Sequence, residues 1–146
     1  MRCLTLADAL AAEGWCCVIA SNPEAAAFIP ALANCGHETR AVADESGPAE
    51  LKALRPEGCE LLIVDHYGLD AGFETACRPW ARRIMVIDDL ADRPHDCDIL
   101  LDATPGRQPS DYRDLAPAGC DWLLGADFAL LRSQFFAARG DALARD

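Results

Sequence analysis

The chain has 146 residues, about half of them apolar, so one domain with an ordinary core is the expectation. Twenty-four acidic residues against 13 basic ones give a formal net charge of -11, and Lys52 is the one lysine. A phosphate-tracking surface needs a basic stripe to displace counterions, so these counts argue against nucleic acid as a partner.

No apolar run nears the ~20 residues of a membrane span, and the N-terminus lacks a signal-peptide pattern. A cytoplasmic protein with no membrane partner is expected. The eight cysteines are Cys3, Cys16, Cys17, Cys35, Cys59, Cys77, Cys97 and Cys120, with no C-x-x-C spacing. That argues against a zinc site or a redox motif and for reduced thiols acting as small hydrophobes.

Taken in chain order, residues 3–13 put Leu4, Ala7 and Ala11 on one helical face, with Gly14 as a stop. Trp15 to Ala20 is a short apolar strand. Asn22-Pro23 supplies an N-cap and a proline for a helix ending near Gly36. His37 to Val42 alternates weakly, with His37 expected at the surface. Gly47-Pro48 opens a helix carrying Leu51 and Leu54, which Pro56-Glu57-Gly58 closes. Glu60 to Asp65 and Arg83 to Asp88 are the strongest strands, apolar without alternation, as expected in the middle of a parallel sheet. Between them Asp70 can cap a helix from Ala71 to Trp80 with Phe73 and Cys77 facing inward. Ile99 to Leu101 and Trp122 to Leu124 read as outer strands. Phe128 to Ala138 reads as a last helix, and Arg139 to Asp146 as a polar tail or the start of a linker.

Alternating strands and helices predict an α/β fold, an open, doubly wound, Rossmann-like parallel sheet. The reading begins inside its first helix, so the first strand and its ligand-presenting turn are expected to be missing.

Ligands of such sheets bind beyond the carboxyl ends of the strands. Two clusters qualify: Asp65-His66-Tyr67-Gly68, where Gly68 permits a sharp turn, and Asp88-Asp89. The adjacent carboxylates can bind a cation, hold a sugar hydroxyl, or cap a loop. His95 in Arg93-Pro94-His95-Asp96-Cys97-Asp98 lacks the further ligands of a metal site, so no metal or other cofactor is expected. The absence of G-x-G-x-x-G, G-x-x-x-x-G-K-[ST] and G-x-S-x-G leaves dinucleotide binding, P-loop hydrolysis and a nucleophile elbow unsupported. A receiver domain would need a lysine at a late strand end, and Lys52 lies in a helix.

Five stretches in order, Arg2-Cys3-Leu4-Thr5-Leu6-Ala7, Asp65 to Asp70, Val86 to Arg93, His95 to Asp98 and Leu123 to Arg132, resemble the UDP-sugar hydrolases of pseudaminic acid biosynthesis (PseG). The resemblance implies the N-terminal domain of a glycosyltransferase B (MurG-like) fold over residues 1–138, with a C-terminal nucleotide-binding domain absent. It implies inverting hydrolysis at C1 of UDP-2,4-diacetamido-2,4,6-trideoxy-β-L-altrose, releasing UDP. The family's catalytic histidine, in a G-x-G-H loop before the helix of Arg2, would precede Met1. No catalytic residue is therefore expected in this chain, and none of its histidines is promoted to that role. The resemblance implies an active-site role for Tyr67 and matches Arg2 to the arginine of the family's loop; with the strand-end clusters, the expected substrate-binding residues are Tyr67, His66, Asp65, Arg2, Asp88 and Asp89. Asp102-Ala103-Thr104 and Ala126-Asp127-Phe128 depart from the family's Asp-Gln-Asn and Pro-x-Tyr.

The expected function is thus the sugar-side part of a nucleotide-sugar hydrolase, inactive alone. The alternatives are a non-catalytic sugar-binding module or remnant, or half of a related glycosyltransferase. An open sheet edge also predicts self-association.

Overall fold

The computed structural model describes residues 2–42, 47–132 and 135. The first helix, α1 (Arg2–Ala12), buries Leu4 and Ala7 and closes through Gly14 at φ +90°. Strand β1 (Val18–Ser21) starts three residues later than the apolar run suggests. Trp15 N–H donates to Leu10 O at 3.1 Å and so completes the helix end instead of entering a ladder. The single helix expected to Gly36 is two short ones, α2 (Pro23–Phe28) and α3 (Pro30–Ala33). Pro30 lacks the N–H that would carry one helix through. Strand β2 (Glu38–Ala41) pairs with β1 in parallel, Val18 beside Glu38.

Helix α4 (Pro48–Leu54) has proline in its first turn. Beyond it Gly58 sits at φ +86°, and a Cβ there would lie 2.5 Å from Trp80 O, so two independent constraints demand glycine. Strand β3 (Cys59–Val64) leads to α5 (Ala71–Cys77), where the Asp70 carboxylate accepts from Gly72 N–H at 2.9 Å as the N-cap. Helix α5 ends three residues before the expected Trp80, because Pro79 has no N–H with which to continue it. Strands β4 (Ala81–Ile87), β5 (Ile99–Asp102) and β6 (Asp121–Leu124) complete the set.

Strands β3, β4, β5 and β6 form one parallel sheet in that order, while β1 and β2 form a separate pair. The α/β, Rossmann-like expectation holds. Successive residues of β4 face opposite ways: Ile84 and Val86 pack with Phe73, Cys77 and Leu100 under α5, and Met85 and Ile87 pack with Leu6 and Leu101 under α1. Helices therefore cover both faces, which is why β4 reads as an unbroken apolar run.

Among the described residues β3, the run from Glu60 expected in mid-sheet, lies at the edge of this sheet. Leu61, Leu62 and Ile63 are only half-buried. Among the described residues β1 pairs only with β2 and β3 only with β4. The two strands line a groove of about 1310 Å³ walled by Val18, Ala20, Leu61, Ile63, Ala7 and Trp80.

The last helix expected from Phe128 does not start there. Ala126–Phe128 is a 3₁₀ turn, Ala129 takes extended dihedrals, and Ala129 to Arg132 are not helical. Beyond Arg132 only Phe135 is described, so the rest of that expected helix and the tail lie outside the described residues. Among the described residues no helix is long and apolar enough to cross a membrane.

Candidate functional site

The carboxyl ends of β3 and β4 lie side by side, with Val64 in register with Val86, so Asp65 and the Asp88-Asp89 pair emerge at one rim. Arg93 holds the two loops together. Its guanidinium donates to His66 O at 3.1 Å, Leu69 O at 2.9 Å and Asp88 Oδ1 at 3.0 Å. Ala91 stands at φ +53°, the one non-glycine residue in that region among those described, with its N–H donating to Asp88 Oδ2 at 2.9 Å. The left-handed backbone costs about 1 kcal/mol, and the aspartate cap holds it.

Four of the six expected site residues converge at the rim. Arg2, at the start of α1, donates through Nη2 to Asp65 at 2.6 Å and through Nη1 to Asp89 at 2.9 Å. Tyr67, 60% exposed, donates its hydroxyl to Asp89 Oδ2 at 3.1 Å. Cys3 donates to Asp65 at 3.1 Å, and burial, with the Asp65 charge second, pushes its thiol up to about 12. Asp65's hydrogen bond holds the Arg2 guanidinium still more firmly protonated than usual. The second oxygen of Asp89, Oδ1, is shielded from solvent and has no hydrogen-bond partner among the described residues.

The other two residues turn elsewhere. His66 Nδ1 accepts from Gly68 N–H at 3.0 Å, folding the ring against the turn. Gly68 does not occupy the left-handed region; a Cβ there would meet the His66 ring at 3.1 Å, so close approach is what glycine serves. Asp88 points into the protein at 1% exposure. Burial pushes its carboxyl up, but Ala91 N–H, the Tyr112 hydroxyl and Arg93 outweigh that and hold it below the usual aspartate value.

Behind the rim lies a buried polar chain whose members, Asp88 apart, are absent from the expected site residues. The Tyr112 hydroxyl is 2.8 Å from both Asp88 Oδ2 and Asp102 Oδ2. Asp102 is also bonded by Arg107 Nε and by Thr104 N–H, and these with Tyr112 overcome its burial and keep its carboxyl low. Burial first, then the two carboxylates, drive the Tyr112 phenol far up. Arg107 also donates to Asp89 O at 2.8 Å, linking this chain to the rim. His95, weighed as a metal ligand, instead pairs through Nδ1 with Glu74 Oε1 at 2.8 Å, both side chains buried. His37, expected at the surface, has its ring largely covered and bonded to Asp8 at 2.8 Å.

No family model matches the chain. Over 87 residues it is 36% identical to the UDP-2,4-diacetamido-2,4,6-trideoxy-beta-L-altropyranose hydrolase of Campylobacter jejuni, a match covering 59% of this chain and 31% of that protein. The match spans about a third of the relative's length, a partial and distant relationship.

Proposed function

We propose that this chain provides the sugar-facing wall of a nucleotide-sugar site, and that the nucleotide sugar is a UDP-linked 2,4-diacetamido-2,4,6-trideoxyhexose whose anomeric bond to UDP is hydrolysed. The observation that carries the reading is the 36% identity over 87 residues to a hydrolase of that description. The rim geometry supports it. Tyr67 and Asp89 offer an exposed phenol and a carboxylate side by side, suited to the hydroxyl and amide N–H groups of a diacetamido sugar. Arg2, held by Asp65 and Asp89, fixes the two carboxylates and leaves the trio with one negative charge, which suits the hydroxyl and amide donors of a neutral sugar. None of these residues acts as general base; they bind and orient.

Calorimetric titration with the UDP-diacetamido sugar tests this, with UDP alone as the comparison. Asp89→Asn is expected to weaken binding about tenfold, equivalent to about 1.4 kcal/mol, and Tyr67→Phe several-fold. UDP alone should bind much more weakly and be indifferent to both changes. Unaltered affinity in both variants, with folding intact by circular dichroism, would remove the sugar wall. An acceptor-dependent product in place of free sugar would favour the transferase alternative.

The groove edges carry a second proposal. Strands β1 and β3 each leave one edge unpaired among the described residues, and an unpaired edge beside half-buried apolar side chains invites another strand. A second copy is the proposed partner. Sedimentation velocity should show a dimer growing with concentration, suppressed when a lysine replaces Leu62. A monomer unchanged across a hundredfold concentration range would overturn it.

A further inference from the structure

Cys97 and Cys120 stand apart from the rim, just ahead of β5 and β6. Ile99 is in register with Asp121, and Asp121 N–H donates to Asp98 O at 2.8 Å, so the two strand starts are clamped together. A bend at Asp98 brings Cys97 onto the face that carries Leu100 and Ile84, where Cys120 also packs. Their Sγ atoms are 3.7 Å apart, and both are free thiols.

We propose that Cys97 and Cys120 form an oxidative modification site, a dithiol that a small hydroperoxide converts into an intramolecular disulfide. Cys120 reacts first. It is the more exposed of the two, 6% against 1%, and it follows the exposed residues Ala118 and Gly119. The hydrogen bond between the two sulfurs lowers the Cys120 thiol and raises that of Cys97, consistent with this order. The Cys120 thiolate attacks one peroxide oxygen; the O–O bond breaks, leaving a sulfenic acid and a hydroxide that takes up the thiol's proton as water. The Cys97 sulfur then attacks Cys120 Sγ. The S–S bond forms, the S–O bond breaks, and the oxygen leaves as a second water with the Cys97 proton. Two electrons pass from the sulfurs to the peroxide.

The bond would close the segment from Cys97 to Cys120, which carries Asp102, Arg107 and Tyr112. Restricting that loop in the unfolded chain raises thermal stability.

The full chain is treated with stoichiometric hydrogen peroxide, unreacted thiols are alkylated in denaturant, and the digest is analysed by mass spectrometry. A Cys97–Cys120 linked peptide, reversed by dithiothreitol, is expected, together with a melting temperature higher by roughly 5–10 °C. Cys97→Ser should leave a Cys120 sulfenic acid that dimedone captures, whereas Cys120→Ser should leave Cys97 a thiol. Cys97→Ala serves the same purpose if the serine variant does not fold. Recovery of both residues as alkylated thiols while exposed Cys16 is oxidised would overturn the proposal. So would linkage of either residue to a different cysteine.

Discussion

Tyr112→Phe is expected to lower the unfolding free energy by about 2–3 kcal/mol at neutral pH, although the phenyl ring fills the same space. The ring's packing against Trp122, 6.1 Å between centroids, is retained, so the loss isolates the hydroxyl. That hydroxyl stands between two fully buried carboxylates, Asp88 and Asp102, neither of which can reach water. Each keeps a guanidinium, Arg93 or Arg107, which holds the cost below that of an unpaired buried charge. The pH dependence separates this loss from a packing defect. Asp88 and Asp102 are depressed in the folded state, so their contribution is full above the unfolded aspartate value of about 3.9 and is lost as pH falls through the folded values. Removing the hydroxyl raises both carboxyls, and the acid transition of the variant should move to higher pH. Tyr112 itself is raised, so its contribution is full below about pH 10 and is lost above it; the variant should lack that alkaline decline. Urea denaturation from pH 3 to pH 11 checks all three. An unchanged midpoint at pH 7 would show that the hydroxyl contributes nothing net.

Local chemistry made much of this fold legible. Asp70 before Ala71 marked the start of α5 because a short acidic side chain accepts from the first-turn N–H groups, and it does. The run from Ile84 to Ile87 marked a strand covered on both faces, as β4 is. Pairing was less legible. Leu61, Leu62 and Ile63 look as central as β4, but their place at an edge depends on which other strand lies beside them, which composition does not encode. The strand-end rule located Asp65, Tyr67 and Asp89, and Arg2 joined them through the motif resemblance. It could not tell that the His66 ring folds back onto Gly68 N–H or that Asp88 turns inward, since neighbouring residues on a turn face opposite ways. Tyr112 was harder still. It sits among proline, serine and aspartate residues that read as a surface loop, and its burial comes from a partner 24 residues away. The one available signal was Asp102 itself, a carboxylate ending an apolar strand.

Glu74 poses the same difficulty and has the larger expected effect: Glu74→Ala should cost about 4 kcal/mol. In sequence it is an ordinary helix carboxylate between Phe73 and Thr75, yet its side chain is fully buried. One oxygen meets His95 Nδ1 at 2.8 Å, and the other accepts Asp96 N–H at 2.5 Å. It therefore ties α5 to the segment that leads into β5. Deletion removes acceptors from a part-buried backbone N–H and from a buried ring nitrogen. His95 is already short of one bond, since Nε2 has no partner among the described residues and lies 4.0 Å from Asp88 Oδ2. Glu74→Gln should cost roughly half as much. The amide keeps one acceptor oxygen, but its NH₂ must then face whichever donor the oxygen does not serve. A loss in the isosteric Gln variant, read from urea midpoints at constant m-value, distinguishes lost hydrogen bonds from lost volume. Loss in the Ala variant with none in Gln, which fills the same space, would mean that the volume of Glu74, rather than the donors it satisfies, holds α5 to the sheet.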